Sequence, residues 1–362
     1  MNRWKSETVY HSGDQFFSDL LSAIDKAQQS VLIETYIFAK DRLGTDILKH
    51  LAAAAKRGCE VKVLIDGVGS MDWNIFDLES AETHGIEVRI FHPLPWQSTG
   101  GISQFVWSKV NTRNHRKTAI IDSQLAFAGG LNISDFHLES RQGRNAWRDT
   151  GVSVTGKSIS ALLKVFWADW RSSGKIKLKS MPHYPLVVVN STARQKIAAH
   201  KQFIGHVANA QKRVWISTPY FFPDLRLIQS LNHCARRGID VRLLLPRKND
   251  VFFMKWVNRS FYRRLNRSGV KIYEYVPSTL HAKVRLIDQW CTVGSSNVNG
   301  RSLLRDLETD IVLVSEKSIN LIAEQFEVDC MNSVEMDFLS ENYGHFWKNL
   351  FDKLLFIFKG WF

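Results

Sequence analysis

Only four cysteines occur in 362 residues, Cys59, Cys234, Cys291 and Cys330, and no two of them form a C-x-x-C pair. That scarcity excludes a disulfide framework and a cysteine zinc site, and a reducing compartment is the expectation. Long hydrophobic runs are missing too, since none approaches the roughly 18 apolar residues of a membrane span. The opening MNRWKSETVY lacks the apolar core of a signal peptide. Acidic residues are in deficit, with 35 Asp and Glu against 48 Lys and Arg, a formal charge of +13. An excess of that size points to an anionic partner, either nucleic acid or an acidic membrane surface. The sequence offers no convincing metal cluster, so neither metal nor cofactor is expected. What is present suits a soluble globular chain, 44% apolar and 23% charged, and long enough for two cores.

The strongest organising feature is an internal repeat. AQQSVLIETYIFAKD (27–41) returns as AQKRVWISTPYFFPD (210–224), RGCEVKVLI (57–65) as RGIDVRLLL (237–245), and HGIEVRIF (84–91) as SGVKIYEY (268–275). Each copy alternates β-branched runs with helical stretches such as 45–57 and 225–237, both ending at a glycine suited to a C-cap. Strand and helix in alternation predict an α/β fold. The polar, basic stretch RSSGKIKLKSMPHYP (171–185) reads as the junction. The expected division is a first domain over 1–175, a second over 186–335, and a C-terminal segment over 338–362.

A second layer of the repeat carries chemistry. NHRKTAIIDSQLAFAGGLN (114–132) holds His115, Lys117, Asp122, Gly129 and Asn132; LHAKVRLIDQWCTVGSSN (280–297) holds His281, Lys283, Asp288, Gly294 and Asn297. Both read His-x-Lys-x4-Asp, then a second strand and a glycine turn that delivers an Asn. Residues two apart on a strand share a face, so each His and Lys point into one space. Lysine supplies fixed charge and Asn an amide donor for phosphoryl oxygens, while imidazole acts as nucleophile, acid or base near neutral pH. Two such clusters facing each other could displace a group in line at phosphorus through a phosphohistidine. The candidate catalytic set is His115, Lys117, Asp122, His281, Lys283 and Asp288, with the two aspartates read as structural, turn-capping members. Lys117, Lys283, Asn132 and Asn297 are the candidate phosphate ligands. Orienting carboxylates are expected at the start of matching acid-Thr strands, Asp149 in WRDTGVSV for His115 and Glu308 in DLETDIVLV for His281.

At these residues the chain resembles the phospholipase D superfamily. IETYIF, GGLN, WRDTGV, STPYFFPD and GSSN make it most similar to short bacterial cardiolipin synthases without N-terminal membrane helices. The resemblance covers roughly 9–322 and implies two homologous domains, each a mixed sheet flanked by helices, related by a pseudo-twofold around one site. It also implies transfer of a phosphatidyl group between phosphatidylglycerol molecules with release of glycerol, His115 as nucleophile and His281 as acid and base. The implied setting is peripheral, on the cytoplasmic side of the bacterial inner membrane. Two departures, Asn299-Gly300 where Asp-Pro is common and Asp306 where Asn is common, bear on acceptor choice. Two stretches could meet lipid: the insertion LPWQSTGGISQFVWSKVNTR with Trp96, Phe105, Trp107, Lys109 and Arg113, and HFWKNLFDKLLFIFKGWF at the C-terminus, patterned as an interfacial helix. For both, packing against the protein's own body is the alternative, and for the C-terminal segment also packing against a second subunit. The rival functions are a phosphodiesterase or nuclease using the same four catalytic groups, simple lipid hydrolysis, and a scaffold with a dead site. Two complete motifs argue against the last.

Overall fold

The computed structural model describes residues 3–98, 111–172, 184–251, 254–300, 302 and 305–337. Two mixed sheets are built from the two repeats with one strand order. In the first, seven strands run Ser6–Tyr10, Gly151–Thr155, Leu125–Gly129, Thr118–Ile121, Ser30–Thr35, Glu60–Asp66, Ile86–Phe91. In the second, the equivalent order is Val187–Val189, Thr309–Leu313, Trp290–Gly294, Val284–Ile287, Arg213–Ser217, Asp240–Pro246, Lys271–Tyr275, with Ser333–Glu335 added at the far edge. The last three strands of the first seven are mutually parallel and the others antiparallel, a pattern the second sheet repeats.

The central strands are apolar on successive residues because both faces of each sheet are covered. Leu32, Leu64 and Ile120 face inward to a core shared with Trp215, Leu244 and Leu286 of the second sheet. Their neighbours Val31, Ile33, Val63 and Ile121 face an outer core under the helices Gly13–Lys26 and Arg42–Lys56. Val214, Ile216, Leu243 and Leu245 do the same in the second half, under Ala193–Ala208 and Leu225–Arg236. The two sheets therefore enclose one core about a pseudo-twofold, with the helices outside.

Helix ends follow local chemistry. Arg42–Lys56 starts three residues before the 45–57 expected from sequence, because the Asp41 side chain accepts from Gly44 N–H at 3.0 Å and caps an earlier turn. It ends at Gly58 (φ +92°), and Leu225–Arg236 at Gly238 (φ +82°), a backbone region where a Cβ is strained.

Candidate active site

His115 and Lys117 lie on the extended lead-in to the strand Thr118–Ile121, and His281 and Lys283 on that to Val284–Ile287. Both lead-ins bond across to the other half. His115 N–H donates to Leu307 O (3.0 Å) and Leu307 N–H returns to Arg113 O (2.9 Å). Symmetrically, His281 N–H donates to Arg148 O (2.7 Å) and Arg148 N–H to Thr279 O (2.9 Å). Each motif lead-in is thus zipped to the segment of the other half that ends in an acid.

The consequence corrects the expected acid assignment. His115 Nδ1–H donates to Glu308 Oε2 at 3.0 Å and Oε1 at 3.1 Å, with Ser295 O at 3.2 Å. His281 Nδ1–H donates to Asp149 Oδ2 at 2.6 Å. The pairs are crossed between halves. Within one sheet, Leu125–Gly129 separates the histidine strand from the acid strand, a lateral gap of roughly 10 Å, whereas the inter-half bridges place the acid beside the imidazole. Gly130 makes room for Asp149, since a Cβ there would lie 2.1 Å from Asp149 Oδ1.

Burial and nearby positive charge favour the neutral form of both imidazoles. Burial, then the charges of Lys117 and Lys283, push His115 well below its ordinary value. The same forces in the order burial, Lys283, Lys117 and His115 depress His281. Each lysine acts on both histidines, so the four groups share one electrostatic field. Lys117 Nζ donates to His115 O at 2.7 Å, and Lys283 Nζ donates to His281 O at 2.5 Å and lies 3.0 Å from both ring nitrogens. Burial and then mutual repulsion push Lys117 down to about 7, while burial takes Lys283 to about 8. Burial also raises Glu308 to about 7 and raises Asp149. Such a site is short of an anion, since a phosphate would restore the positive charge that burial disfavours. Binding of inorganic phosphate at about pH 8 is therefore expected to draw protons onto the lysines. Calorimetry in buffers of different ionisation enthalpy measures that uptake; proton release would contradict it.

Asn132 and Asn297 are buried. Asn132 Oδ1 accepts from Ile37 N–H at 3.3 Å, which leaves its amide nitrogen as the donor, and Asn297 Oδ1 is buried without a hydrogen-bond partner. Asp122 and Asp288 are placed elsewhere, which corrects their inclusion in the catalytic set. Asp122 accepts from Gln28, Gln29 and Ser30 N–H (2.9, 2.7 and 2.9 Å), and Asp288 from Gln211, Lys212 and Arg213 N–H (2.9, 2.8 and 3.0 Å). Burial works against both charges, but the three donors outweigh it and lower each carboxyl. They clamp the turn before the first central strand, at the end of the sheet remote from the histidines. Asp122→Ala is expected to cost about 1–3 kcal/mol of stability through orphaned backbone donors while the folded fraction keeps its turnover. Denaturant melts beside activity per folded molecule check this.

Sequence reasoning missed several neighbours. The Tyr36 ring lies 5.0 Å from that of His115 and 5.3 Å from Lys117 Nζ; the aromatic in IETYIF was the available signal. Trp147 packs 5.3 Å from His281, and His137 is 6.0 Å from it. Asp306 accepts from Arg113 N–H at 3.1 Å and its charge supports protonation of His115, so this departure does reach a candidate catalytic group electrostatically. Asn299 Oδ1 accepts from Ser302 N–H at 2.8 Å.

Of the insertion, Phe105, Trp107 and Lys109 lie outside the described residues, as does the C-terminal segment 338–362. Trp96 is 53% exposed, with its Nε1–H on Met71 O at 3.0 Å. Arg113, counted with the insertion that could meet lipid, is buried, with Nε 3.0 Å from both Asp66 oxygens and Nη2 on the carbonyls of Phe91 and His92. Among the described residues no helix is long and apolar enough to cross a membrane.

Paired imidazoles, each with a carboxylate behind it and a lysine beside it, on two copies of one α/β unit, define an enzyme class that works at phosphodiesters. The chain matches the family described as "Cardiolipin synthase, PLD-like domain" over residues 20–170 and 203–330. It is 33% identical over 338 residues to the cardiolipin synthase of Clostridium perfringens (strain SM101 / Type A), covering 89% of this chain and 69% of that protein. Cardiolipin synthase 1 of Bacillus cereus is 32% identical over 344 residues, with 90% and 66% covered. The chain thus spans about two thirds of the length of these relatives, and it belongs to the cardiolipin synthase family of the phospholipase D superfamily, a family of phosphatidyltransferases. Among solved structures, phosphatidylserine synthase of Haemophilus influenzae Rd KW20 superposes with a TM-score of 0.71 at 15% identity, covering 97% of this chain and 93% of that one. That likeness concerns the fold.

Proposed function

We propose that this chain transfers a phosphatidyl group from one phosphatidylglycerol to another, making cardiolipin and releasing glycerol. The observation that carries this reading is the crossed pair of His–carboxylate dyads closing on one lysine-rich field. Glu308 holds His115 Nδ1–H, so Nε2 presents its lone pair to phosphorus. His281 enters the step as the imidazolium, which the charge of the bound phosphate favours; as the P–N bond forms, the bond from phosphorus to the head-group glycerol oxygen breaks, and His281 gives that oxygen its Nε2 proton. His281, now the base, takes the proton of an incoming glycerol hydroxyl, whose oxygen displaces the His115 nitrogen. Lys117, Lys283, Asn132 and Asn297 stabilise the equatorial oxygens.

The protein works from the side of the membrane, on the cytoplasmic face of the inner membrane, with its basic charge and the exposed Met71, Phe76 and Trp96 toward anionic lipid. The test is incubation with phosphatidylglycerol vesicles, with His115→Ala as control. Cardiolipin and glycerol in equal amounts support the reading. Phosphatidic acid alone would make the enzyme a hydrolase, and cleavage of DNA or RNA instead would make it a nuclease.

A further inference from the structure

The two dyads are not equivalent. In the second half, the hydroxyls of Ser295 and Ser302 favour the charged form of Glu308. In the first half, the position of Ser295 is Gly130, and five residues after the motif asparagine, where the second half has Ser302, stands His137. His137 is buried, its Nδ1 lies 3.9 Å from Asp149 Oδ2, and that nitrogen has no hydrogen-bond partner. An unmatched buried polar atom next to a catalytic carboxylate asks for an explanation.

A metal ion is one candidate, since one ligand atom each from His137, Asp149 and His281 lie within 4.8 Å of one another. The tautomer of His137 rules against it. Asn132 N–H points at His137 Nε2 from 3.1 Å, and a backbone amide can only donate, so Nε2 must be the acceptor. The proton of the neutral ring then sits on Nδ1, where a metal would need a lone pair. Protonating Nε2 as well would set two donors against each other, and burial independently holds this imidazole down to about 3.

We infer that His137 is a positioning residue: a permanently neutral imidazole whose Nδ1–H faces Asp149 and keeps its carboxylate ionised and turned toward His281. The inference rests on the phosphatidyl-transfer reading of the site. Asp149 Oδ1 already accepts from Thr150 N–H at 2.8 Å, and Oδ2 holds His281. When His281 gives up its catalytic proton, the attraction on Oδ2 weakens, and His137 is the donor standing ready at the same oxygen. The groups facing Asp149 from the first half are His137, Arg148 and Lys117, and from the second His281 and Lys283. All of them favour the carboxylate when charged, but the lysine and imidazole charges change as substrate binds and reacts. Arg148, the Thr150 amide on Oδ1 and the fixed dipole of His137 beside Oδ2 persist through the cycle.

The test uses the full chain, phosphatidylglycerol vesicles and a phosphatidyl ester of nitrophenol, whose leaving group needs no proton. His137→Phe is expected to lower kcat by about 10- to 100-fold with KM within about twofold, and to move the acid limb of the kcat profile to higher pH, because Asp149 then protonates more readily. With the nitrophenyl ester the loss in formation of the covalent adduct is expected to shrink, because His281 has no proton to deliver. His137→Gln, which restores a donor, should recover most of the rate. An unchanged kcat and pH profile in folded His137→Phe would overturn the inference. So would ring 15N shifts of the wild-type protein showing the proton of His137 on Nε2, a measurement independent of whether any variant folds. Wild-type protein that makes no cardiolipin would instead sink the underlying reading and leave the tautomer measurement standing.

Discussion

His115→Ala is expected to abolish transfer, with a loss of at least about ten-thousand-fold in kcat and no covalent adduct, while the fold survives. Removing the nucleophile of a catalytic unit leaves only what binding and charge stabilisation supply. Structure gives the reason for the size. The His115 ring is 12% exposed, its Nδ1 committed to Glu308 and Ser295, so the remaining nitrogen is its one route to a phosphorus atom. His281→Ala is expected to fail just as badly on phosphatidylglycerol but for a different reason, namely that the glyceroxide has no proton donor. Given the nitrophenyl ester, His281→Ala should still form the phosphohistidine and then stall, because no base activates the acceptor. Intact-protein mass measurement shows a phosphatidyl adduct in that variant and none in His115→Ala. An adduct in His115→Ala, absent from His281→Ala, would exchange the two roles. Absence from both would remove the covalent intermediate.

The contrast in legibility follows from what a repeat encodes. The motif histidines and lysines were readable because two copies agree at near-fixed spacing, and the α/β character because buried strands and capped helices have local signatures. Pairing of acids with histidines was not readable. Asp149 and Glu308 each start a strand of their own half, and only the sheet order shows Leu125–Gly129 or Trp290–Gly294 intervening. Arg113 looked like a basic residue of a lipid-facing insertion; that Asp66, at the end of a parallel strand, waits for its guanidinium depends on tertiary placement. His137 is not marked by the repeat, because a repeat singles out positions where the copies agree. Its signal was a disagreement, His against Ser302, five residues after the matching asparagines Asn132 and Asn297. Conversely, Asp122 and Asp288 agree between copies for a reason that is mechanical: a left-handed residue (φ 49° and 50°) that gathers three amides, a task both halves need equally.

Crossed pairing makes the sharpest prediction about the acids. Glu308→Gln is expected to reproduce the defect of His115→Ala, although it lies in the other repeat, and Asp149→Asn that of His281→Ala, each with a loss of about a thousand- to ten-thousand-fold. An amide in place of the carboxylate offers the imidazole Nδ1 a donor as readily as an acceptor, so the wrong tautomer is populated and the other nitrogen is no longer presented correctly. The two acids then separate by step. With the nitrophenyl ester, Asp149→Asn should build up the adduct on His115, whereas Glu308→Gln should form it slowly or not at all. If each acid served the histidine of its own repeat, the two phenotypes would be interchanged. The same mass measurement reads both variants, and adduct accumulation in Glu308→Gln with none in Asp149→Asn would show that the 3.0 Å and 2.6 Å contacts across the halves are not the working ones.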